Sequence, residues 1–88
     1  MTPQRLAVGV VAGGIGEDGA VRVRWLGDGP QTLLTAETVF VARDDADPLP
    51  RRHVVRAAAP HGLDEVRMTL AGLRARADAE AYAGHLVL

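Results

Sequence analysis

The chain has 88 residues, enough for one small domain, with ten basic and eleven acidic side chains and a formal net charge of −1. This balance excludes a strongly cationic protein held on nucleic acid by bulk charge alone. Cysteine, lysine, serine and asparagine are all absent, which excludes disulfides, thiolate metal sites and the serine, cysteine and Schiff-base lysine nucleophiles. No apolar run approaches the roughly 18 residues that span a bilayer. Because a signal-peptide pattern is also lacking, we expect a cytoplasmic protein.

The first half of the sequence predicts three strands. Arg5–Ala12 is short and β-branched, and the glycine-rich loop Gly13–Gly19 follows it. In Ala20–Leu26, valine and tryptophan alternate with arginine, which is the period of a strand with one buried face. Gln31–Thr35 can form one helical turn, and Thr38–Arg43 is the third predicted strand.

The second half predicts three more strands and a helix. Arg51–Ala59 is an alanine-weakened strand, and Glu65–Leu70 alternates as clearly as the second strand does. Ala75–Ala83 is rich in helix formers, and Gly84 stands where a left-handed C-terminal cap belongs. His85–Leu88 closes the chain as a final strand.

Six short strands in a small chain predict an all-β fold. We expect a small closed six-stranded antiparallel barrel with one short helix before the last strand, because closure leaves no exposed strand edge. The sequence shows no internal repeat and no linker, so residues 1–88 are interpreted as a single domain.

A literal GxGxxG motif runs from Gly14 to Gly19. A dinucleotide site requires a helix behind this motif to hold the pyrophosphate, whereas the alternation that follows predicts a strand. Glu17 and Asp18 would also place two negative charges beside a diphosphate. We therefore interpret the motif as a hairpin loop whose glycines supply positive φ angles.

Histidines and paired carboxylates give no sign of a metal or catalytic centre. The spacing of the three histidines matches no familiar ligand pattern: His53, His61 and His85. The acidic pairs lie in or beside predicted loops, where solvated turn residues are expected: Glu17-Asp18, Asp44-Asp45 and Asp64-Glu65. We expect no metal, no cofactor and no enzymatic activity.

Three arginines occupy the polar faces of predicted strands. Arg22 and Arg24 alternate with buried positions in one strand, and Arg67 does so in another. If these strands are neighbours, the arginines form a basic stripe suited to phosphate oxygens. The alternative is an ordinary charged barrel exterior. Only three aromatic residues are present, which argues against a platform that stacks single-stranded bases.

Two separated segments resemble the RimM family of bacterial ribosome maturation factors. The first is Val8-Gly9-Val10-Val11 followed by Gly16-x-x-Gly19-x-Val21-Arg22-Val23, similar to a family opening that reads VG-hydrophobic and then HGhRGEVKV, where h is hydrophobic. The second is Arg76-x-x-Ala79-Glu80-x-Tyr82-x-Gly84 with Leu86-Val87-Leu88, similar to the DRxxAExLxG helix and its following strand. Segments between them fall in the expected order, so the resemblance spans nearly the whole chain.

The chain departs from the family pattern in its hairpin and at its helix start. Ile15 stands in place of histidine, Glu17-Asp18 in place of a hydrophobic-arginine pair, and Ala20 in place of glutamate. The charge reversal at the hairpin puts the conventional contact there in doubt. Ala75 replaces the aspartate that would cap the helix, an expected loss of about 1 kcal/mol.

The resemblance implies a two-domain protein of which this chain is one part. RimM proteins have an N-terminal six-stranded barrel, related to the second domain of translation elongation factors, and a C-terminal PRC barrel. The PRC barrel is absent from these 88 residues, so the chain is either a fragment or a stand-alone relative. Family members bind the immature small ribosomal subunit near its head and assist 16S rRNA processing. They engage the nineteenth small-subunit ribosomal protein, largely through the PRC barrel.

The first functional hypothesis is therefore a non-catalytic 30S assembly domain. Arginines of the stripe would meet phosphates, two glycines would shape the docking loop, and a helix arginine would contact the ribosome or anchor the helix: Arg22, Arg24, Arg67, Gly16, Gly19 and Arg76. One alternative is a flavin- or nucleotide-binding barrel module of a reductase. Another, favoured by the acidic Glu17 and Asp18, is a protein-interaction domain that has lost ribosome binding.

Overall fold

A computed structural model describes residues 7–88 and shows strands that close into a barrel. The strands are β1 (Gly9–Ile15), β2 (Ala20–Trp25), β3 (Thr38–Ala42), β4 (Arg51–His61), β5 (Glu65–Leu70) and β6 (Leu86–Val87). Two short helices, α1 (Gln31–Leu34) and α2 (Arg76–Glu80), lie in the connections. The strand order around the barrel is β1-β2-β5-β4-β3-β6, and every neighbouring pair is antiparallel. The predicted all-β barrel with a short helix before its last strand is confirmed.

The alternation in β2 and β5 fills the barrel interior. Val21 lies opposite Met68 and Val23 opposite Val66, and all four side chains are fully buried. They belong to one cluster: Val11, Val21, Val23, Leu33, Val39, Val41, Val66, Met68, Leu70, Ala79 and Val87. Burial of each valine or leucine contributes about 1.5 to 3 kcal/mol. This cluster is therefore the main stabilising element of the fold.

Each helix covers one end of the barrel. Leu33 of α1 is buried beneath the end at which β1 begins, where its Cδ1 atom lies 3.3 Å from the Cβ position of Gly9. Ala79 of α2 is buried at the opposite end. This second end, here called the α2 end, also carries the β1–β2 hairpin loop and the loop between β3 and β4.

β1 begins and ends later in the chain than the sequence predicts. Residues 5 and 6 of the predicted strand lie outside the described residues, but Gly13 and Gly14, expected in a loop, belong to the strand. An irregularity in register separates Val11 from Gly13. A Cβ atom on Gly14 would lie only 3.1 Å from the Cβ of Ala79. These glycines let α2 pack directly on the strand, a long-range contact that a local pattern does not reveal.

α2 is shorter than the predicted helix Ala75–Ala83. It ends at Glu80, and the chain continues as turns to Gly84, whose φ is +83° and whose N–H donates to the carbonyl oxygen of Val11 at 2.8 Å. The backbone thus bends towards β1 before a longer helix can form. Other boundaries shift slightly, most visibly in β4, which continues past the predicted end at Ala59 to His61.

The start of α2 retains a capping carboxylate although Ala75 cannot supply one. Asp78 Oδ2 accepts hydrogen bonds from the backbone N–H of Arg74 at 2.9 Å and of Ala75 at 3.1 Å. These bonds hold the pKa of Asp78 below its usual value of 3.8. Asp78 therefore satisfies backbone N–H groups just before the helix, whereas the side-chain bond that an N-cap aspartate would make to the first turn is lost.

Candidate functional site

The pairing of β2 with β5 brings the predicted arginines together on the outer face of the barrel. Arg22 lies directly opposite Arg67, and Arg24 lies opposite Glu65. All four positions alternate with buried ones along their strands, so their side chains point outward from the barrel. Arg22, Arg24 and Arg67 are called the arginine stripe below.

Two acidic residues partly neutralise the arginine stripe. Arg22 Nη1 lies 3.4 Å from Glu65 Oε1, and Arg24 Nε lies 4.0 Å from Asp64 Oδ2. Glu65 is only 16% exposed and also faces His61 Nε2 at 3.9 Å. The interpretation of Asp64-Glu65 as a solvated pair is therefore wrong for Glu65, which lies in β5 beneath two basic side chains. The alternation of apolar and polar residues predicts which side of the sheet a residue faces, but not which residue lies next to it on the neighbouring strand.

Arg67 differs from the rest of the stripe because its guanidinium has no ion-pair partner within residues 7–88. It is exposed, and its Nη2 atom lies 3.9 Å from the position that a Cβ atom would take on Gly16. The side chain therefore extends from β5 towards the hairpin loop. Among the three arginines, Arg67 is the one whose charge is available to an external anion.

The last four residues of the GxGxxG motif, 16–19, form a hairpin loop, whereas Gly14 and Ile15 belong to β1; β2 follows the loop directly. Gly16 and Gly19 have φ angles of +69° and +87°. A Cβ atom on Gly19 would lie 2.6 Å from the carbonyl oxygen of Leu73, so this glycine is required where the chain before α2 crosses the hairpin. Glu17 and Asp18 are exposed at the tip. No helix stands behind the motif to hold a pyrophosphate.

Arg76 lies on α2 and is not part of the arginine stripe. Its Nε atom lies 3.4 Å from Glu80 Oε1, which also accepts the backbone N–H of Gly14 at 3.2 Å. The Cβ position of Gly13 lies 3.2 Å from Arg22 Nη2 and 3.4 Å from Glu80 Oε2. Arg76 is thus tied to the contact between α2 and β1, and Glu80 brings negative charge close to Arg22.

The histidines take structural positions. His53 Nδ1 donates to the carbonyl oxygen of Ala71 at 2.8 Å, so in the neutral ring Nε2 accepts from the Tyr82 hydroxyl, also at 2.8 Å. Tyr82 makes a further edge-on contact with the ring of His85 at 5.4 Å between centroids. Within residues 7–88, no group of three or more histidines and carboxylates could hold a metal ion.

Comparison with protein families matches residues 6–88 to the RimM N-terminal domain. The chain belongs to the RimM family. The match extends from the start of the barrel through β6, so every structural element described above lies inside the RimM domain. The resemblance seen in the two sequence segments is thereby confirmed.

The RimM barrel is also found in a solved structure. A Pseudomonas aeruginosa protein assigned as the 16S ribosomal RNA processing protein RimM superposes with a TM-score of 0.78 at 23% sequence identity. The alignment covers 93% of this chain and 48% of that one, so the chain spans about half the length of its structural relative. No curated protein sequence matches the chain. Within residues 7–88 no helix is both long and apolar enough to cross a membrane.

Proposed function

We propose that this RimM barrel is a non-catalytic ribosome-maturation domain that binds the immature small ribosomal subunit near its head and assists 16S rRNA processing in the cytoplasm. Binding would favour one conformation of the RNA through differential affinity, without a covalent step. In this proposal residues 1–88 act as one barrel domain. Contact with the nineteenth small-subunit ribosomal protein would add to it.

The observation that carries the proposal is the cross-strand pair Arg22 and Arg67 on the outer face of a RimM barrel. Arg67 is exposed and free of carboxylates within the described chain, so it can meet a phosphate without first breaking an ion pair. Arg22 is held by Glu65 and serves as the second, positioned cation. Gly16 shapes the loop beside Arg67, whereas Gly19 and Arg76 support the fold around it.

The test compares Arg67→Glu with Arg52→Glu, an exposed arginine on β4 paired with β3. Binding to precursors of the small subunit is measured over a range of salt concentrations. We expect Arg67→Glu to weaken binding by about tenfold and to lower the salt slope by about one unit, whereas Arg52→Glu leaves both nearly unchanged. Equal affinity and slope for Arg67→Glu and the unmodified chain would remove the arginine stripe from the contact.

Glu65→Gln is a second arm of the same experiment. It removes the negative charge beneath Arg22 and His61 while keeping the side-chain shape. We expect tighter binding at low salt, by about two- to fivefold, because Arg22 then faces the phosphate without competition. A loss of affinity in this variant would mean that the ion pair itself, and not the free cation, is recognised.

A protein-interaction role is the second candidate. Its supporting observation is the exposed acidic tip, Glu17 and Asp18, beside a stripe that Glu65 and Asp64 partly neutralise. Replacing Glu17 and Asp18 together by glutamine and asparagine distinguishes the two. A protein contact through the tip predicts lost binding to ribosomal protein, whereas an RNA contact predicts a gain on naked 16S rRNA.

A further inference from the structure

An open cleft of about 480 Å³ lies at the α2 end of the barrel. It is bounded by the end of β3, the loop that follows, the start of β4 and the turn after α2. In the barrel order, β3 and β6 lie across from β2 and β5, so the cleft faces away from the arginine stripe. The candidate RNA contact and this cleft are therefore separate surfaces.

Two arginines lie at the rim of the cleft. Each occupies a position on the inward-facing side of its strand, β3 or β4, at or just past the end of the barrel. Val39 and Val41 point inward, and Arg43 is the next residue in that row. Arg51 lies opposite Val41 in the register. Both arginines are exposed, and Arg51 has no ion-pair partner within residues 7–88. The cleft is thus lined by the guanidinium-bearing Arg51, which has no ion-pair partner among the described residues, together with the buried Val41.

The loop that forms one wall is fixed in place by a buried carboxylate. Asp47 is only 6% exposed and accepts the backbone N–H groups of Arg43 and Leu49, each at 2.9 Å. Arg43 Nε also lies 3.6 Å from Asp47 Oδ2. The wall is therefore preorganised, which lowers the entropic cost of binding a ligand against it.

The character of the walls favours a protein ligand over RNA. Leu49 is 80% exposed at the rim, while Val41 is buried at the base. Exposed apolar side chains beside arginine and tyrosine are typical of the centres of protein interfaces.

We propose that this cleft binds an extended peptide segment of a partner protein that presents an apolar side chain next to one or two carboxylates. The apolar side chain packs between Leu49 and Tyr82, and a carboxylate pairs with Arg51.

The test uses the full 88-residue chain, labelled with ¹⁵N, and four capped pentapeptides Gly-X-Glu-Glu-Gly in which X is leucine, isoleucine, phenylalanine or methionine. Matched peptides carry glutamine in place of both glutamates. We expect at least one acidic peptide to bind with a Kd below about 1 mM, and its glutamine counterpart to bind about tenfold more weakly. Amide shifts should change at residues 41–51 and 81–85.

Variants on one strand separate the cleft from general charge effects. Arg51→Gln should weaken peptide binding by about three- to tenfold, whereas Arg56→Gln, an exposed arginine of the same strand outside the cleft, should not. Leu49→Gln should weaken binding without reducing its salt dependence.

The proposal is overturned if no acidic peptide binds, if the shifts lie elsewhere, or if Arg51→Gln and Arg56→Gln act equally. Tighter binding of a hexauridylate oligonucleotide than of any peptide would overturn the assignment to a protein partner. None of these results depends on the arginine stripe, so failure here leaves the proposed ribosomal contact unaffected.

Discussion

The two sides of the α2 end are closed by different means. Beside β1, a Cβ atom on Gly14 would lie 3.1 Å from the Cβ of Ala79 in α2, and a Cβ atom on Gly19 in the hairpin would lie 2.6 Å from the carbonyl oxygen of Leu73, just before α2. Beside β3, the loop stands apart from α2 and leaves the cleft, and Asp47 fixes that loop through backbone hydrogen bonds. The side beside β1 is thus closed by close packing, whereas on the side beside β3 the Asp47 carboxylate fixes the loop that borders the cleft. The packed side stabilises the fold, while the open side leaves a cleft that a ligand can enter.

Gly19→Ala should give the largest effect, on the packed side. The new Cβ atom would meet the carbonyl oxygen of Leu73 at 2.6 Å, in a backbone conformation that alanine disfavours. We expect the free energy of unfolding to fall by about 3 to 5 kcal/mol, measured by urea denaturation.

Gly62→Ala is the matched control, since Gly62 has a φ of +65° but open space around it. It should cost only about 1 kcal/mol, the penalty of the backbone conformation alone. Equal losses in the two variants would show that contact with the segment before α2 contributes nothing.

Asp47→Asn should give the next largest effect and tests the open side. Hydrogen bonds from the backbone N–H of Arg43, and then of Leu49, lower the pKa of Asp47 from 3.8. A carboxylate with a lowered pKa stabilises the fold fully above its unfolded pKa, and this stabilisation is lost as the pH falls through the folded value. The unmodified chain should therefore exceed the variant in stability near neutral pH, and the difference should shrink in acid.

The measurement is the urea midpoint of both proteins at about pH 7 and then at successively lower pH below 3.8, the usual pKa of the carboxyl. Asp44→Asn serves as control because Asp44 is exposed on the same loop. A stability difference between the unmodified chain and Asp47→Asn that stays constant with pH would contradict an electrostatic role for Asp47.

Glu80→Gln should give the smallest effect. Glu80 accepts one backbone N–H, from Gly14 at 3.2 Å, and pairs with Arg76, but its side chain is 47% exposed. Water screens such a pair, so we expect a loss of about 0.5 kcal/mol in the free energy of unfolding. A loss as large as that of Gly19→Ala would mean that the packed side depends on this carboxylate more than on close contact.

Periodicity predicted the barrel wall well because it is a local property. The alternation of Val21 and Val23 with arginine gave both the strand and its buried face, and the structure agrees. The same argument could not show that Arg22 lies above Glu65, since that neighbour depends on how β2 and β5 pair. The sequence predicted the three arginines of the stripe, but it did not predict that the carboxylate of Glu65 lies among them.

The missed features all depend on contacts between distant segments. Gly13 and Gly14 look like loop residues, and only α2, more than sixty residues later in the chain, explains their place in β1. Asp47 looks like one acid among several in a polar loop, and its burial follows from the fold of that loop under Arg43. No residue spacing distinguishes it from Asp44 or Asp45.

The shortest strand has a consequence for synthesis of the chain. β6 contributes only Leu86 and Val87, yet it bonds to β1 on one side and β3 on the other. Until those residues leave the ribosome, β1 and β3 each retain an unsatisfied edge, and the barrel remains an open sheet able to pair with other chains. Translation of almost the entire domain must therefore precede its closure, so a nascent chain stalled before Leu86 would be exposed to aggregation.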